Sequence, residues 1–313
     1  MQPLVRLGRL LEDAGYRFTT ITPGSHARVN RRGGNERARS LRDVFGWSRP
    51  FESSLLPREM LQCLIDAGAV RDDNDGLLRA SIRFSTDDGL MFVHSAFPTT
   101  DEDSVFFGPD TYRYLKLLRR LKPRARRAVD VGAGSGAGGM VIAGGCHRVV
   151  LADINERALA YAAVNAELNA IANVEIVKAD VLRGVEGPID LVISNPPYLI
   201  DPDARLYRNG GGQFGEGLSI EIVRQALDRL EPGGRLILYT ASAIVDGEDT
   251  FRTAIEPILA SRTSSLRYEE IDPDVFGDEL ERPQYASADR IAVVALDATV
   301  GPATARNVQN SMH

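Results

Sequence analysis

Four consecutive residues, Asn195, Pro196, Pro197 and Tyr198, combine groups that could hold an NH2 group for reaction. The nitrogen of an amide or aryl amine is a poor nucleophile because its lone pair is delocalised. The Asn195 side-chain oxygen and the Pro196 carbonyl could each accept a hydrogen bond from one N–H of the NH2 group. These two hydrogen bonds would favour a pyramidal nitrogen whose lone pair points at an incoming methyl. The prolines fix the turn and remove competing donors, and Tyr198 offers a flat face for stacking. These four residues are the candidate catalytic residues, although Asn-Pro-Pro can also simply end a strand.

A glycine-rich turn lies between an apolar run at 127–131 and a helical pattern. Glycine tolerates positive φ and lets the backbone approach a ligand closely. Dinucleotide-binding proteins use a similar turn, so this feature alone does not define the ligand. We expect Gly132, Ala133, Gly134 and Gly136 to contact a cofactor.

Acidic residues lie at the ends of three successive predicted strands. Asp130, just before the glycines, could hold an amino group or an ordered water of a cationic amino-acid ligand. Asp153 follows the first glycine of the turn by 21 residues, and an acid at about that distance binds ribose hydroxyls. We include the adjacent Ile154 in the cofactor site. Asp180, with the Val181 backbone beside it, could meet an adenine amino group.

The elements that must position these residues alternate between strands and helices from about residue 110 onward. Strands are predicted at 127–131, 148–153, 174–179, 190–194 and 235–240, and helices near 110–121, 136–144, 155–169, 217–230 and 248–260. This alternation implies a parallel sheet covered by helices on both faces. Two further runs, at 266–271 and 289–296, have no helix between them, which predicts an antiparallel pair at one edge. In a doubly wound sheet the fourth strand would lie beside the first, which brings Asn195 next to the glycine-rich turn.

The first hundred residues follow a different pattern. A helix is predicted from Pro57, then strands at 77–84 and 90–93 around a hairpin turn. The Arg/Gly/Asn-rich stretch 26–42 is predicted as a loop or as a segment that becomes ordered on contact with a partner. This outline is typical of a winged-helix module that could bind nucleic acid, and equally of a structural cap on the next domain. We expect residues 1–100 to form a smaller α+β domain for substrate recognition or capping, residues 101–300 to form the catalytic domain, and residues 301–313 to form a disordered tail.

Composition and charge argue against a membrane protein, a secreted protein and a disulfide-rich protein. The 313 residues carry a net charge of −6, which divides into +6 over residues 1–50 and −12 over the remainder. Such a split can mark a nucleic-acid contact or can be drift. The longest apolar run, 291–296, is far below the roughly 18 residues of a membrane span, and the N-terminus lacks a secretory pattern. Two cysteines exclude a disulfide framework. We therefore expect a cytoplasmic protein without a structural metal and without membrane association.

Residues 106–296 resemble a class I S-adenosylmethionine-dependent methyltransferase of the Asn-Pro-Pro-Tyr group. Within that group they are most similar to the release-factor glutamine methyltransferases and their small-domain relatives. The resemblance is carried by the segment from Asp130 through the glycines, by Asp153 and Asp180, by the Asn195 tetrapeptide and by residues 211–218. It implies S-adenosylmethionine as the cofactor, held by these strand-end residues and Asn195.

The resemblance also implies a fold and two further contacts. The expected fold is a Rossmann-like, doubly wound α/β sheet of seven strands with an antiparallel edge strand. Phe107 and Thr111 lie where related enzymes close over the methionine end of the cofactor, so we include them as cofactor contacts. The N-terminal segment departs from the pattern, because release-factor enzymes carry a short all-helical domain there.

Three hypotheses for the function follow. The first is N-methylation of a planar NH2 nitrogen, with a protein glutamine side chain, for example in a translation factor, as the preferred acceptor. The second is methylation of an RNA or DNA base amino group, at adenine N6 or guanine N2, which the +6 segment and the winged-helix outline favour. The third is a regulatory module that binds S-adenosylmethionine and methylates nothing.

Overall fold

The computed structural model describes residues 2–302, and its first eight elements form an α+β layer that we call the cap. These elements are α1 (Pro3–Asp13), α2 (Pro23–Asn30), α3 (Leu41–Phe45), α4 (Arg58–Asp66), β1 (Val70–Asp72), β2 (Leu78–Ala80), β3 (Ile82–Asp87) and β4 (Leu90–Ser95). Strands β1 and β2 pair antiparallel, and β3 and β4 form a hairpin around Asp88 and Gly89. The predicted helix after Pro57 and the predicted hairpin are therefore both present, with a tighter turn than expected. The predicted strand 77–84 is divided, because β2 pairs with β1 and only β3 belongs to the hairpin.

The prediction of a loop over 26–42 is wrong for its first residues, which belong to helix α2. Thr22 caps this helix by accepting a hydrogen bond from the Ser25 backbone N–H at 3.3 Å, and proline occupies the first position, where no N–H is needed. The His26 side chain is fully buried and packs against the rings of Trp47 and Phe97. These distant aromatic residues stabilise a helix that the local composition does not favour.

The second group of elements follows the predicted alternation. It comprises α5 (Pro109–Leu121), β5 (Ala125–Val131), α6 (Ala137–Ile142), β6 (Cys146–Asp153), α7 (Glu156–Leu168), β7 (Val174–Lys178), β8 (Ile189–Ser194), α8 (Gly217–Arg229), β9 (Leu230–Val245), β10 (Glu248–Asp249), α9 (Thr250–Leu259), β11 (Thr263–Asp272) and β12 (Arg290–Val300). All five predicted helices and all seven predicted strands are present, with ends that differ by a few residues.

The main sheet has the strand order β11-β12-β9-β8-β5-β6-β7, and the short β10 pairs with β9. Strand β5 lies between β6 and β8 and runs parallel to both, which confirms the predicted crossing point. Strands β11 and β12 pair antiparallel at one edge, as expected. The strand that runs against the others is β12, which lies one position in from the edge, so the edge strand β11 runs parallel to the rest.

Helices bury both faces of this sheet. Residues that alternate along β5 enter different cores: Ala128 joins the core under α5, α6 and α7, whereas Val129 and Val131 join the core under α8 and α9. Burial on both sides explains why the strand is a near-continuous apolar run. The rigid central strands fix the positions at which the chain leaves the sheet, and these exits carry the predicted site residues.

The cap packs directly on helix α7. The cap core includes Val164 and Leu168 from that helix. Asn165 accepts a hydrogen bond from the Val93 N–H at 2.7 Å and donates to the Val93 carbonyl at 3.1 Å, and Asn169 forms the same pair of bonds with Met91 at 3.0 and 2.8 Å. The outer edge of the hairpin is therefore occupied by α7, which favours the capping interpretation over a wing that is free for nucleic acid.

Two predictions concern the chain ends and membranes. The predicted tail, 301–313, lies almost entirely outside the described residues, which end at 302. Within the described range, none of the helices combines the length and the apolar character that a bilayer crossing requires.

Candidate active site

A cleft of about 790 Å³ opens at the carboxyl ends of the parallel strands. The ends of β5, β6, β7 and β8 supply one part of its wall, and the cap, the segment that leads into α5 and two later loops supply most of the rest. Of the predicted site residues, the cleft is lined by Thr111, Gly132, Gly134, Asp153, Ile154, Asp180, Val181, Asn195, Pro196, Pro197 and Tyr198. The topology therefore brings most of the predicted residues to one cavity.

The glycine loop, residues 132–136, presents bare backbone to the cleft. Gly132 and Gly134 have φ of +65° and +55°, and no atom lies within 4 Å of the position that a Cβ would take at either residue. A side chain there would be strained and would fill the space above the loop. Ala133 and Gly136 do not line the cleft. A Cβ on Gly136 would come within 2.8 Å of Met140, so this glycine serves the packing of α6.

Asp153 ends β6 with its carboxylate directed across the glycine loop. Its Oδ2 accepts a hydrogen bond from the Gly134 N–H at 2.8 Å, and its Oδ1 accepts one from the Asn155 N–H at 2.9 Å. Burial raises the pKa of this carboxyl, and the backbone donors offset part of that rise. Each oxygen keeps a lone pair for a further donor. The next residue, Ile154, is 53% exposed although it lies in the cleft, so its apolar surface is available to a ligand.

Asp180 and Val181 form the third strand exit. Asp180 is exposed and forms an ion pair with Arg183 at 2.8 Å. Val181 is buried and has φ of +58°, an unusual conformation for a β-branched residue. This conformation turns the chain sharply after β7, so that both residues contribute to the same wall as Ile154.

Asp130 does not line the cleft, which corrects its predicted role as a direct ligand. Its Oδ2 accepts a hydrogen bond from the Gly139 N–H in α6 at 2.7 Å, and the Tyr114 hydroxyl lies 3.5 Å from its Oδ1. Burial raises the pKa of Asp130 to about 7. The carboxyl therefore fixes α6 against β5 and positions the glycine loop between them.

Asn195 leaves β8 at the point where β8 pairs with β5. Ser194 donates a hydrogen bond to the Val131 carbonyl at 2.7 Å, which joins the two strand ends. The Asn195 Oδ1 is buried and has no hydrogen-bond partner, and no donor within residues 2–302 reaches the Pro196 carbonyl. A buried acceptor without a donor is costly. This pair of acceptors is therefore suited to a ligand that brings its own N–H groups.

The Tyr198 ring is fixed through its hydroxyl. Its hydroxyl forms a hydrogen bond with Asp110, whose carboxylate also accepts bonds from Tyr239 at 3.2 Å and Arg113 at 3.1 Å. Burial and the neighbouring Asp110 keep the pKa of Tyr198 well above its ordinary value, so its hydroxyl stays protonated. The ring centroid of Phe276 lies 6.0 Å away, and both rings line the cleft.

The prediction for Phe107 is wrong in its details. Phe107 is 1% exposed and stacks between Phe92 and His94 of the cap hairpin, so it cannot reach a cofactor. Its neighbour Phe106 lines the cleft instead and stacks on Tyr207 with centroids 5.6 Å apart. Thr111 lines the cleft, and its hydroxyl accepts a hydrogen bond from the Gly108 N–H.

Several wall residues escaped the sequence-based prediction. The cap contributes Thr22, Pro23, Gly24 and Arg28. The segment 206–208 is joined to the loop after β11 by an ion pair between Arg208 and Glu279. In that loop Phe276 has φ of +57°, a conformation that is rare for an aromatic residue. No local pattern marks these residues, because they meet only through the tertiary fold.

The charges of the cleft do not form a metal site. No three His, Cys, Asp or Glu side chains of the described chain lie close enough together to hold a metal ion. Arg113, Arg208 and Arg282 in the cleft are each paired with a carboxylate. The cleft can therefore bind a ligand through backbone, carboxylate and amide groups.

Comparison with known proteins shows which proteins share this arrangement. Residues 114–256 match the model of the methyltransferase small domain. The chain is 32% identical over 202 residues to the release factor glutamine methyltransferase of Deinococcus radiodurans, and 30% identical over 157 residues to that of Lactococcus lactis subsp. lactis. These matches cover 58% and 44% of this chain, and 66% and 56% of the two relatives, so the chain spans less than two thirds of the length of either.

Solved structures support the same fold. The crystal structure of M. jannaschii TYW2 in complex with AdoMet superimposes with a TM-score of 0.50 and 16% identity, over 71% of this chain and 86% of that one. At this identity the likeness concerns the fold alone. Residues 114–256, a little under half of the chain, are therefore similar to the methyltransferase small domain.

Proposed function

We propose that this protein is an S-adenosylmethionine-dependent N-methyltransferase whose acceptor is a planar NH2 nitrogen, and that this nitrogen belongs to a protein glutamine side chain. The family match and the release factor glutamine methyltransferase relatives support the methyl transfer. The observation that carries the proposal is the buried Asn195 Oδ1, which has no donor of its own at the carboxyl end of β8.

The cofactor end of the cleft fits S-adenosylmethionine. Gly132 and Gly134 leave space above the loop for the methionine part. The Asp153 carboxylate would accept hydrogen bonds from the two ribose hydroxyls, and the exposed Ile154 would cover one face of the adenine. Asp180 and the Val181 backbone border the same region and would meet the adenine amino group. When bound, the cofactor supplies a methyl group on a positively charged sulfur.

The acceptor end supplies two hydrogen-bond acceptors and a rigid wall. Asn195 Oδ1 and the Pro196 carbonyl would each accept one N–H of the NH2 group, and this pairing turns the nitrogen lone pair toward the methyl. Tyr198, which Asp110 holds from behind, would form the flat wall against the amide plane. Positioning of the two reacting atoms then provides most of the acceleration.

The reaction balances without a further reagent. A nitrogen–carbon bond forms as the carbon–sulfur bond breaks, and the electron pair of that bond stays on the sulfur. The methylated nitrogen carries a positive charge and loses one of its two protons. A protonated amide nitrogen is strongly acidic, so water at the cleft mouth can take this proton and no dedicated base is required.

A nucleobase amino group is the second candidate acceptor, because it presents the same NH2 geometry. Arg28 favours it, since this exposed cation lines the cleft and could contact a phosphate. The cap, which we assign to residues 1–100, would then present the nucleic acid to residues 101–300.

Labelled S-adenosylmethionine distinguishes the acceptors. The purified protein is incubated with radiolabelled methyl donor and a cell lysate, and the products are treated with nuclease or protease. We expect the label to survive nuclease and to be lost with protease, and acid hydrolysis should release methylamine from the N-methylated glutamine. Label that is lost with nuclease would instead assign the reaction to a base, and a complete absence of label would contradict both.

A further inference from the structure

The mouth of the cleft contains charges of both signs that form no ion pair with any residue the structure describes. Most charged side chains of the cleft wall are paired with each other or with a neighbouring residue. Asp153 is occupied by backbone donors and is assigned to the cofactor ribose. Within residues 2–302, the charged residues of the wall that form no ion pair, apart from Asp153, are Arg28, Asp274 and Asp278. Their charges are available to a ligand.

The cation belongs to the cap and faces the cleft. His26 and Asn30 of α2 both contact Trp47, so the helix buries one side, while Arg28 is exposed on another. The Arg28 Nη1 lies 3.8 Å from the position that a Cβ would take at Gly24. Since Gly24 also lines the cleft, the guanidinium lies beside the cavity instead of pointing away from it.

The two acids come from a different part of the chain. Asp274 and Asp278 lie in the loop between β11 and β12, on either side of Phe276, and both are exposed. Phe276 contacts Tyr198, so this loop is attached to the acceptor end of the cleft and not to the cofactor end. The mouth therefore has a basic element from the cap and an acidic element from the loop.

This mixture discriminates between classes of substrate. A nucleic acid carries a negative charge at every nucleotide, so a strand that contacts Arg28 would also bring phosphates toward Asp274 and Asp278. A polypeptide can carry charges of opposite sign on the two sides of one residue. Charge complementarity of this kind selects partners more strongly than it adds affinity.

From this, we infer that the cleft recognises a dipolar polypeptide segment, with an acidic side chain near Arg28 and a basic side chain near Asp274 and Asp278 flanking the acceptor residue. This inference rests on the proposed glutamine acceptor and adds the sequence context in which that glutamine is methylated. Arg28, Asp274 and Asp278 act as specificity residues and take no part in the methyl transfer.

A charge-swap experiment on peptides tests the inference. Five peptide sets surround a central glutamine with Glu on one side and Lys on the other, with the reverse order, with Glu on both sides, with Lys on both sides, or with neutral residues. We expect wild type to show the highest kcat/KM for one of the two dipolar orders. Arg28→Glu should lower kcat/KM for that order about three- to ten-fold and raise it for the peptide with Lys on both sides.

Asp274→Lys with Asp278→Lys should give the complementary result and favour the peptide with Glu on both sides. Arg224→Glu and Glu231→Lys are matched controls, because both residues are exposed, unpaired within residues 2–302 and absent from the cleft wall. These controls should keep the wild-type preference at a similar rate.

The outcomes separate the two levels of the proposal. If wild type methylates all five sets equally, or if Arg28→Glu and Arg224→Glu behave alike, the dipolar recognition is wrong while glutamine methylation stands. If single-stranded oligonucleotides are labelled and none of the peptides is, the acceptor is a base. Glutamine methylation and dipolar recognition are then both wrong. If neither is labelled, the glutamine acceptor itself is contradicted, and the dipolar recognition falls with it.

Discussion

The two ends of the cleft differ in how the chain builds them. The cofactor end uses the exits of β5, β6 and β7, which lie within about fifty consecutive residues and are fixed by a buried parallel sheet. The acceptor end combines the cap, the segment before α5, the exit of β8, the segment 206–208 and the loop after β11. The first construction depends on local strand ends, whereas the second brings to one cavity residues that are up to about 250 positions apart in the sequence.

This difference indicates which substitutions should change cofactor binding and which should change acceptor binding. Substitutions at the cofactor end disturb the sheet exits and should affect every acceptor equally. Substitutions at the acceptor end alter loops that the sheet does not constrain, so they should affect the acceptor while the cofactor remains bound. The following predictions test whether cofactor binding and acceptor binding can be altered separately.

The largest effect is expected for Asn195→Ala. Loss of one of two acceptors for the NH2 group should lower kcat about 100- to 1,000-fold, by analogy with the removal of one polar group that stabilises a transition state. The dissociation constant for S-adenosylmethionine, measured by calorimetry, should change less than about three-fold because Asp153 and the glycine loop are intact. Undiminished methyl transfer in this variant would disprove the assignment of Asn195. A wild type that binds the cofactor and methylates nothing would support the regulatory-module hypothesis.

Asp153→Ala should have the next largest effect, and at the opposite end. Loss of a carboxylate that accepts hydrogen bonds from two ribose hydroxyls should weaken cofactor binding about 10- to 100-fold. At saturating cofactor, KM for the acceptor should stay near the wild-type value. Circular dichroism serves as the control, because Asp153 also holds the Gly134 and Asn155 N–H groups. Cofactor affinity equal to that of wild type would show that the ribose lies elsewhere.

Phe276 offers a smaller, two-part test. Its φ of +57° costs an L-residue about 1 kcal/mol, which glycine avoids. We expect Phe276→Gly to unfold at a higher temperature than Phe276→Ala, while both variants raise KM for the acceptor about three- to ten-fold through loss of the aromatic wall. Equal acceptor kinetics in wild type and both variants would show that the ring does not contact the acceptor.

The smallest effect is expected for Asp130→Asn. Burial raises the pKa of Asp130 from its ordinary 3.8 to about 7, so its protonation stabilises the folded state. That stabilisation is fully present below the unfolded pKa and is lost as the pH rises through about 7. The asparagine keeps an acceptor for the Gly139 N–H and does not titrate.

Thermal unfolding at two pH values measures this effect. At pH 8 the variant should unfold about 2–4 °C above wild type, and at pH 5 the difference should shrink. Cofactor affinity should remain close to that of wild type, because Asp130 does not line the cleft. A large loss of affinity would show instead that the carboxylate contacts the cofactor directly.

The sequence predicted which strand exits line the cleft, and it did so for a physical reason. Parallel strands that are buried on both faces are apolar runs of recognisable length, and polar residues that interrupt them mark the strand exits. Asp153, Asp180 and Asn195 were predicted in this way and all three line the cleft, and the crossing order placed β8 beside β5. The exception is Asp130, since a strand-end acid can point to a neighbouring helix as well as to the cleft, and the sequence does not distinguish these directions.

The acceptor end could not be predicted in the same way. Phe106 and Phe107 are adjacent, and only the stacking of Phe107 against the cap hairpin determines which of them reaches the cleft. Helix α2 forms in a segment of arginine, glycine and asparagine because His26 is buried against Trp47 and Phe97. Arg28 and Phe276 are ordinary residues in the sequence, and only the tertiary fold brings them to the cavity.

The hydrogen bonds from Asn165 and Asn169 of α7 to the cap hairpin limit how the preference for an acceptor could be transferred from one protein to another. Asn165 donates at once to the hairpin at Val93 and to the Ser135 carbonyl in the glycine loop, at 3.1 and 2.9 Å. A transplanted cap that lacks a matching hairpin edge would leave these amides unsatisfied directly behind the cofactor loop. A chimera designed to acquire a new acceptor must therefore carry α7 together with its cap, and the natural unit of exchange is discontinuous in the sequence.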